Sequence, residues 1–296
     1  MKFPDEYFPI QPELVQDFDS KVQTGKEFSK NLKILFCAAC KDVAKLIEKS
    51  ISFCDYTGSH FKDYDIFLYE NNSSDNTPDV IKSLKNDKVT LQSEFIDKAS
   101  YERSNVTQVD RCNFISNARN KYVDFINNNN NKDYDYIFVF DTDIEGGWSI
   151  DGIFNSIYYL EKDSNIGAMT SYCVLASAAG GNLEEKDPRG WLMFDSFAFR
   201  YYNELDWSFP NNLHEYNYIR TKRGSDPVPV NSNFNGLAIY RPECFDNNKY
   251  QVNNYGSDFC TDSEHIAFHK NIWKKGLKVL INPSMLTSIS NHRHSK

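Results

Sequence analysis

The chain has 296 residues, 40% of them apolar and 25% charged, which is enough apolar side chain for one large α/β core or two small ones. A net charge of −8 argues against a protein that holds nucleic acid by charge, because displacing counterions from phosphates needs a basic surface. No run approaches the roughly 18 to 20 consecutive apolar residues of a membrane span. The first thirty residues also lack the apolar centre of a signal peptide, so the sequence reads as soluble and cytoplasmic, or as an enzyme cut away from a membrane anchor.

Residues 1–30 are polar, spotted with aromatics and without clear period, and read as an arm wrapping the domain. From residue 31 the pattern becomes an alternation of strands and helices. An apolar run at 32–40 is followed by a helical stretch from 42 to about 54 and a second strand at 65–70. Asn76-Thr77-Pro78 marks a helix start, with Thr77 as N-cap and Pro78 in the first turn, and leads to a short strand at 88–92. A long helix over 108–125 precedes consecutive asparagines at 127–131, a solvated loop tip, and then the most apolar strand, 136–140. The second half is less regular. It predicts a helix over 150–161, a strand at 166–174, a Gly-containing loop at 178–182, a strand at 235–240, a helix over 262–275 and a strand at 277–281.

Such alternation implies a mostly parallel sheet covered on both faces, which binds ligands beyond the carboxyl ends of its strands. Asp141, Thr142 and Asp143 fall at that edge. An apolar strand ending in Asp-x-Asp sets two carboxylates side by side, where their repulsion is costly unless a cation sits between them. Oxygen-only ligands suit Mn2+ or Mg2+, and such an ion can bridge a diphosphate and neutralise the charge that develops as it leaves. No glycine lies between Gly25 and Gly58, so the first strand-to-helix turn is neither a dinucleotide fingerprint nor a P-loop. A nucleotide held here would rely on the metal for much of its phosphate binding.

Other groups add chemistry to this edge. Glu70 ends a strand, where it can accept hydrogen bonds from a base or ribose, although an exposed turn carboxylate would look the same. Arg111 and Arg119 lie eight residues apart on one predicted helix face, aimed either at diphosphate or into ion pairs with the acids. Asp262 and Glu264 open a helix, where the macrodipole favours a carboxylate. One of them, Glu264 first and Asp262 as the fallback, is placed to deprotonate an acceptor hydroxyl or to stabilise an oxocarbenium-like transition state. The seven cysteines show no zinc-type spacing and read as buried thiols, with Cys37-Ala-Ala-Cys40 continuing a strand instead of opening a helix. Among the aromatics of 191–207, Trp191 and Trp207 are the first candidates to border a sugar acceptor, with the 178–182 loop as a mobile lid.

The order of LFCAAC (35–40), YENNSSDNT (69–77), SNARN (116–120) and FDTD (140–143) resembles the nucleotide-sugar half of a GT-A glycosyltransferase. With FNGLAIYRP (234–242), TDSEHIAFH (261–269) and INP (281–283) it is most similar to the capsule-associated α-1,3-mannosyltransferase-like family, over residues 31 to 294. Beyond the arm at 1–30, the resemblance implies one GT-A domain, 31–296, divided into a nucleotide-sugar half, 31–143, and a more irregular acceptor and catalytic half, 144–296. It places Ala38, Ala39, Glu70 and Asp75 around the nucleobase and ribose. Arg111 and Arg119 then face the diphosphate, and Asp141, Thr142 and Asp143 serve ribose and metal. A histidine near the end of the domain, His292 before His294, completes the metal shell.

The implied reaction moves a hexose from a UDP- or GDP-sugar to a hydroxyl of a glycan, glycolipid or glycoprotein. Two alternatives stand beside it. A haloacid-dehalogenase-like magnesium-dependent phosphohydrolase also carries Asp-x-Asp after an apolar strand, but on the first strand of its fold. A catalytically silent carbohydrate-binding relative would tolerate loss of metal ligands, whereas both aspartates are present here.

Overall fold

The computed structural model describes residues 3, 5–84, 86–96, 108–128, 133–175, 197–202, 221–257 and 260–289. The N-terminal segment contains α1 (Pro12–Ser29), and the first strand-helix units follow it as β1 (Lys33–Cys40), α2 (Ile47–Gly58) and β2 (Asp63–Asn71). Next come α3 (Thr77–Ser83), β3 (Val89–Glu94), α4 (Gln108–Asn128) and β4 (Tyr136–Phe140). The second half supplies β5 (Gly147–Trp148), α5 (Ile150–Lys162), β6 (Ile166–Leu175), β7 (Arg200–Tyr201), β8 (Val228–Ser232) and β9 (Leu237–Tyr240). It ends with a separate β10 (Asn254–Ser257) and β11 (Cys260–Thr261) pair, α6 (Glu264–Lys274) and β12 (Lys278–Ile289).

The main sheet runs β3-β2-β1-β4-β9-β6-β12-β8-β7, with β5 paired to β12. β3, β2, β1 and β4 are mutually parallel. β9 then runs antiparallel between β4 and β6, and β12 pairs parallel with β6. Helices cover both faces, which is why β4 reads as an unbroken apolar run and is buried at all five residues. Period-two alternation divides β1 between two layers. Ile34, Phe36 and Ala38 pack with Ile51, Ile153 and Phe154 of α2 and α5, while Leu35 and Cys37 pack with Val123, Ile126 and Phe268 of α4 and α6.

The first thirty residues differ in form from the irregular arm expected. α1 buries Phe18, Val22, Gly25 and Ser29, a helical spacing, and packs against α5. The period escaped notice because two of the four positions, Gly25 and Ser29, are not apolar, and Gly25 makes its contact through smallness. A Cβ on Gly25 would come within 1.8 Å of the Phe154 carbonyl oxygen.

The 72–77 turn also differs in detail. Asn76 occupies the cap position and Thr77 is the first helical residue, with the Asp75 carboxylate accepting from the Thr77 N–H (3.0 Å) and hydroxyl (2.5 Å). α2 begins at Ile47 and not at 42, after a turn in which Asp42 takes a left-handed φ of 54°. β12 is longer than expected and runs past Pro283 with a register irregularity between Ile281 and Leu286. Buried Asn282 supports that irregularity by donating to Asn155 Oδ1 (2.9 Å) and Ser156 Oγ (2.8 Å). Among the described residues no helix is long and apolar enough to cross a membrane.

Candidate active site

β4 delivers Asp141 to the carboxyl edge of the sheet. The Asp141 N–H donates to the Gly236 carbonyl (2.9 Å), so the loop leading into β9 is tied to the first aspartate of the Asp-x-Asp. Gly236 needs its φ of 86°, and Asn235 before it is also left-handed at 55°. Thr142 is buried, and its carbonyl accepts from Ser50 Oγ of α2 (2.9 Å), so the central residue anchors the turn while its neighbours face outward. Asp143 is half-buried, and the Asp141 side chain keeps 35% of its exposure.

Arg119, on the buried face of α4, joins two distant carboxylates. Its Nε donates to Glu264 Oε1 (2.8 Å) and its Nη2 to Asp141 Oδ1 (3.0 Å). The guanidinium lies over the rings of Phe234 (4.8 Å) and Tyr250 (5.8 Å), and the Arg119 and Glu264 side chains are only 8% and 7% exposed. Burial alone would lower the Arg119 pKa, but Tyr122, Asp141 and Glu264 outweigh it and hold the group above its ordinary value. Glu264 sits in the first turn of α6, whose N-cap is Ser263.

The next residue, His265, is 2% exposed and stacks on Phe234 at 4.0 Å between ring centroids. Its Nε2 lies 3.5 Å from Glu264 Oε1, too far for a hydrogen bond, and neither ring nitrogen has a hydrogen-bond partner among the described residues. One turn on, His269 is bonded on both sides, Nδ1 with Ser232 Oγ (2.8 Å) and Nε2 with Tyr240 OH (2.9 Å). Burial pulls the His269 pKa down to about 3. Burial, the Arg119 charge and His269 likewise push His265 well below its ordinary value, so both rings are neutral at pH 7.

The other residues singled out in the sequence lie around this cluster. Ala38 is buried and Ala39 half-buried near the end of β1, with Cys40 opposite Glu70 in register. Glu70 is buried, not an exposed turn carboxylate. Its Oε1 accepts the Ser73 N–H (2.9 Å) and its Oε2 the Ser93 hydroxyl (2.5 Å), so it braces the 71–76 loop. Asp75 is exposed and takes the Ala44 N–H (3.1 Å) besides Thr77, tying the loops after β1 and β2 together. Burial raises its pKa, but the Thr77 and Ala44 hydrogen bonds prevail and leave it lowered.

Asp262 is paired with a different arginine. It is fully buried against Arg200 Nη2 (2.7 Å) and accepts from Asn253 Nδ2 (3.3 Å), which leaves Glu264 as the acid beside Asp141. Arg111 is exposed on α4 while Arg119 is buried, so the two differ in surroundings although they are two turns apart. Cys37 and Cys40 are buried free thiols, and burial pushes Cys40 up to about 12, which suits the inert reading. His292, His294, Trp191, Trp207 and the 178–182 loop lie outside the described residues.

The donor set can be weighed against a metal on its chemistry. Asp141 and Asp143 are oxygen ligands only, on a partly open edge. Among the described residues no three His, Cys, Asp or Glu side chains converge into a closed site. Two carboxylates that share a hard cation with substrate phosphates are the usual arrangement for Mg2+, so the residues fit a metal completed by the donor better than a structural cage.

Sequence reasoning missed His265, and also Phe234 and Tyr250 as the platform for Arg119. Phe234 and His265 stood inside recognised segments, but only the three-dimensional stacking gives them a part; Tyr250 carried no local signal.

A mostly parallel sheet flanked by helices, with Asp141 to Asp143 following its fourth strand in chain order, is a GT-A architecture. The chain belongs to the family described as Cryptococcal mannosyltransferase 1, whose model matches residues 38–271. Among solved structures it is similar to the mannosyltransferase PcManGT from Pyrobaculum calidifontis, determined with GDP-Man and Mn2+, at 14% identity and a TM-score of 0.50. That match covers 96% of this chain and 68% of the other. Residues 1–349 of TarS from S. aureus, determined with UDP-GlcNAc, match at 9% identity and a TM-score of 0.48 over 89% of this chain and 60% of that one. None of the curated proteins compared with the chain matches it.

Proposed function

We propose that the protein transfers a hexose from a nucleotide diphosphate sugar to a hydroxyl of a glycan, glycolipid or glycoprotein, with GDP-mannose the first donor to test. The observation that carries this reading is the Asp141-Arg119-Glu264 cluster at the carboxyl edge of β4, which sets a cation between two acids where a diphosphate would arrive. The mannosyltransferase description of the family and the GDP-Man of PcManGT support the choice of donor.

Asp141 and Asp143 would hold Mn2+ or Mg2+, which when bound neutralises charge on the departing diphosphate. Arg119 supplies a permanent positive charge for that leaving group, with Arg111 as a second cation on the same helix. Glu264, held by Arg119, is the group that takes the acceptor proton or stabilises the oxocarbenium-like sugar. Glu70 shapes the nucleoside side by bracing the 71–76 loop. Ending the fourth strand, not the first, the Asp-x-Asp is not where a phosphohydrolase of the haloacid-dehalogenase type keeps it.

The test is release of nucleoside diphosphate from a panel of UDP- and GDP-sugars, measured with and without simple glycoside acceptors. The expected result is release from one nucleotide series, faster when an acceptor is present. Hydrolysis of phosphate monoesters, with no donor bound or consumed, would overturn the reading.

A further inference from the structure

A buried histidine with neither ring nitrogen hydrogen-bonded is costly, because each polar atom removed from water without a partner forfeits its hydration and gains nothing in return. Among the described residues His265 is left in that state, and it stands one position after the acid of the proposed site. Elsewhere in the same core His269 is satisfied at both nitrogens, so the surroundings can serve a buried imidazole. Glu264 Oε1 lies 3.5 Å from His265 Nε2, and that oxygen accepts from Arg119 Nε at 2.8 Å. In this arrangement the carboxylate is drawn toward Arg119 and stops short of hydrogen-bonding His265.

We propose that His265 is a positioning residue for Glu264, receiving its carboxylate through an Nε2–H hydrogen bond when bound donor diphosphate draws Arg119 away.

The exchange conserves charge and moves no proton. A carboxylate left buried and unpaired by the departure of Arg119 would tend to protonate and could no longer act as a base. A neutral imidazole donor keeps it ionised and aimed, yet competes less with an incoming hydroxyl than a guanidinium does. The stacking of His265 on Phe234, which also carries Arg119, fixes the ring while the carboxylate changes partner. The inference rests on the glycosyl-transfer reading and deepens it.

The experiment uses the full chain with 15N-labelled histidine, Mg2+ and either GDP or UDP, the His265 signals being assigned by their loss in His265→Phe. On nucleotide binding the His265 Nε2–H proton should move downfield as its hydrogen bond forms. In parallel, His265→Phe, which keeps a ring on Phe234, should retain its melting temperature. It should also retain nucleotide affinity within twofold while losing at least tenfold in turnover of the donor sugar. His265→Asn, which restores a donor, should recover part of that loss. Unchanged ring signals in the nucleotide-bound protein, or full turnover by a folded His265→Phe, would overturn the inference and leave the glycosyl-transfer reading intact. A wild-type chain that neither binds nor consumes any donor would overturn both.

Discussion

At the scale of single residues the site is organised by Arg119, which two carboxylates from opposite halves of the chain share. Removing one partner of a buried ion pair leaves an uncompensated charge, at a cost of roughly 3–5 kcal/mol. Arg119→Met should therefore lose stability of about that size in urea unfolding. The double variant Arg119→Met, Glu264→Gln should regain about half or more of it, because the stranded charge is gone. Equal losses in the single and double variants would contradict a coupled pair.

The two neutral histidines of α6 set a pH dependence. An unfolded histidine titrates near 6.5, while His269 in the fold does so at about 3 and His265 well below its ordinary value. Below pH 6.5 the unfolded chain binds protons that the folded chain refuses, so stability is full above that pH. It then falls on acidification toward 3, by up to about 1.4 kcal/mol per pH unit for each ring. Denaturation at pH 7.5, 6 and 5 should show this decline, and His269→Gln should make it shallower. Constant stability over that range would refute the assignment.

At the scale of elements the inner strands of the first half were legible because they are apolar runs buried over most of their length and bounded by polar turns, as 136–140 shows most plainly. α1 was not, because its contact with α5 passes through Gly25, whose importance lies in what it leaves room for. Gly25→Ala raises helix propensity yet should destabilise the protein by about 1–3 kcal/mol, since the added methyl meets the Phe154 carbonyl. Gln23→Ala on the exposed face should be nearly neutral. A stabilised Gly25→Ala would show that α1 is not seated as described. The start of α6 was visible in sequence as a pair of acids, but which of them faces the site was not. That choice is made by Arg200, which reaches Asp262 from β7 across a chain separation no local pattern encodes.

At the scale of the whole molecule, the insertion of antiparallel β9 between β4 and β6 brings the two halves to one edge. It carries Phe234 and Gly236 to the Asp-x-Asp, while α4 and α6 meet through Arg119 and Glu264. The alternation of strands and helices made a mostly parallel α/β sheet readable, and the resemblance of its motifs implied the GT-A form. The pairing of Arg119 with both acids and the inward turn of Glu70 needed the assembled sheet, because sequence spacing leaves a charged side chain equally free to face solvent or a partner.

The most direct test of the account is donor turnover by the purified chain after chelation, with Mn2+ or Mg2+ added back, beside Asp143→Ala at matched melting temperature. The account predicts turnover that requires the added ion and is lost by at least a hundredfold in the variant. Equal turnover without metal, or in Asp143→Ala, would contradict it.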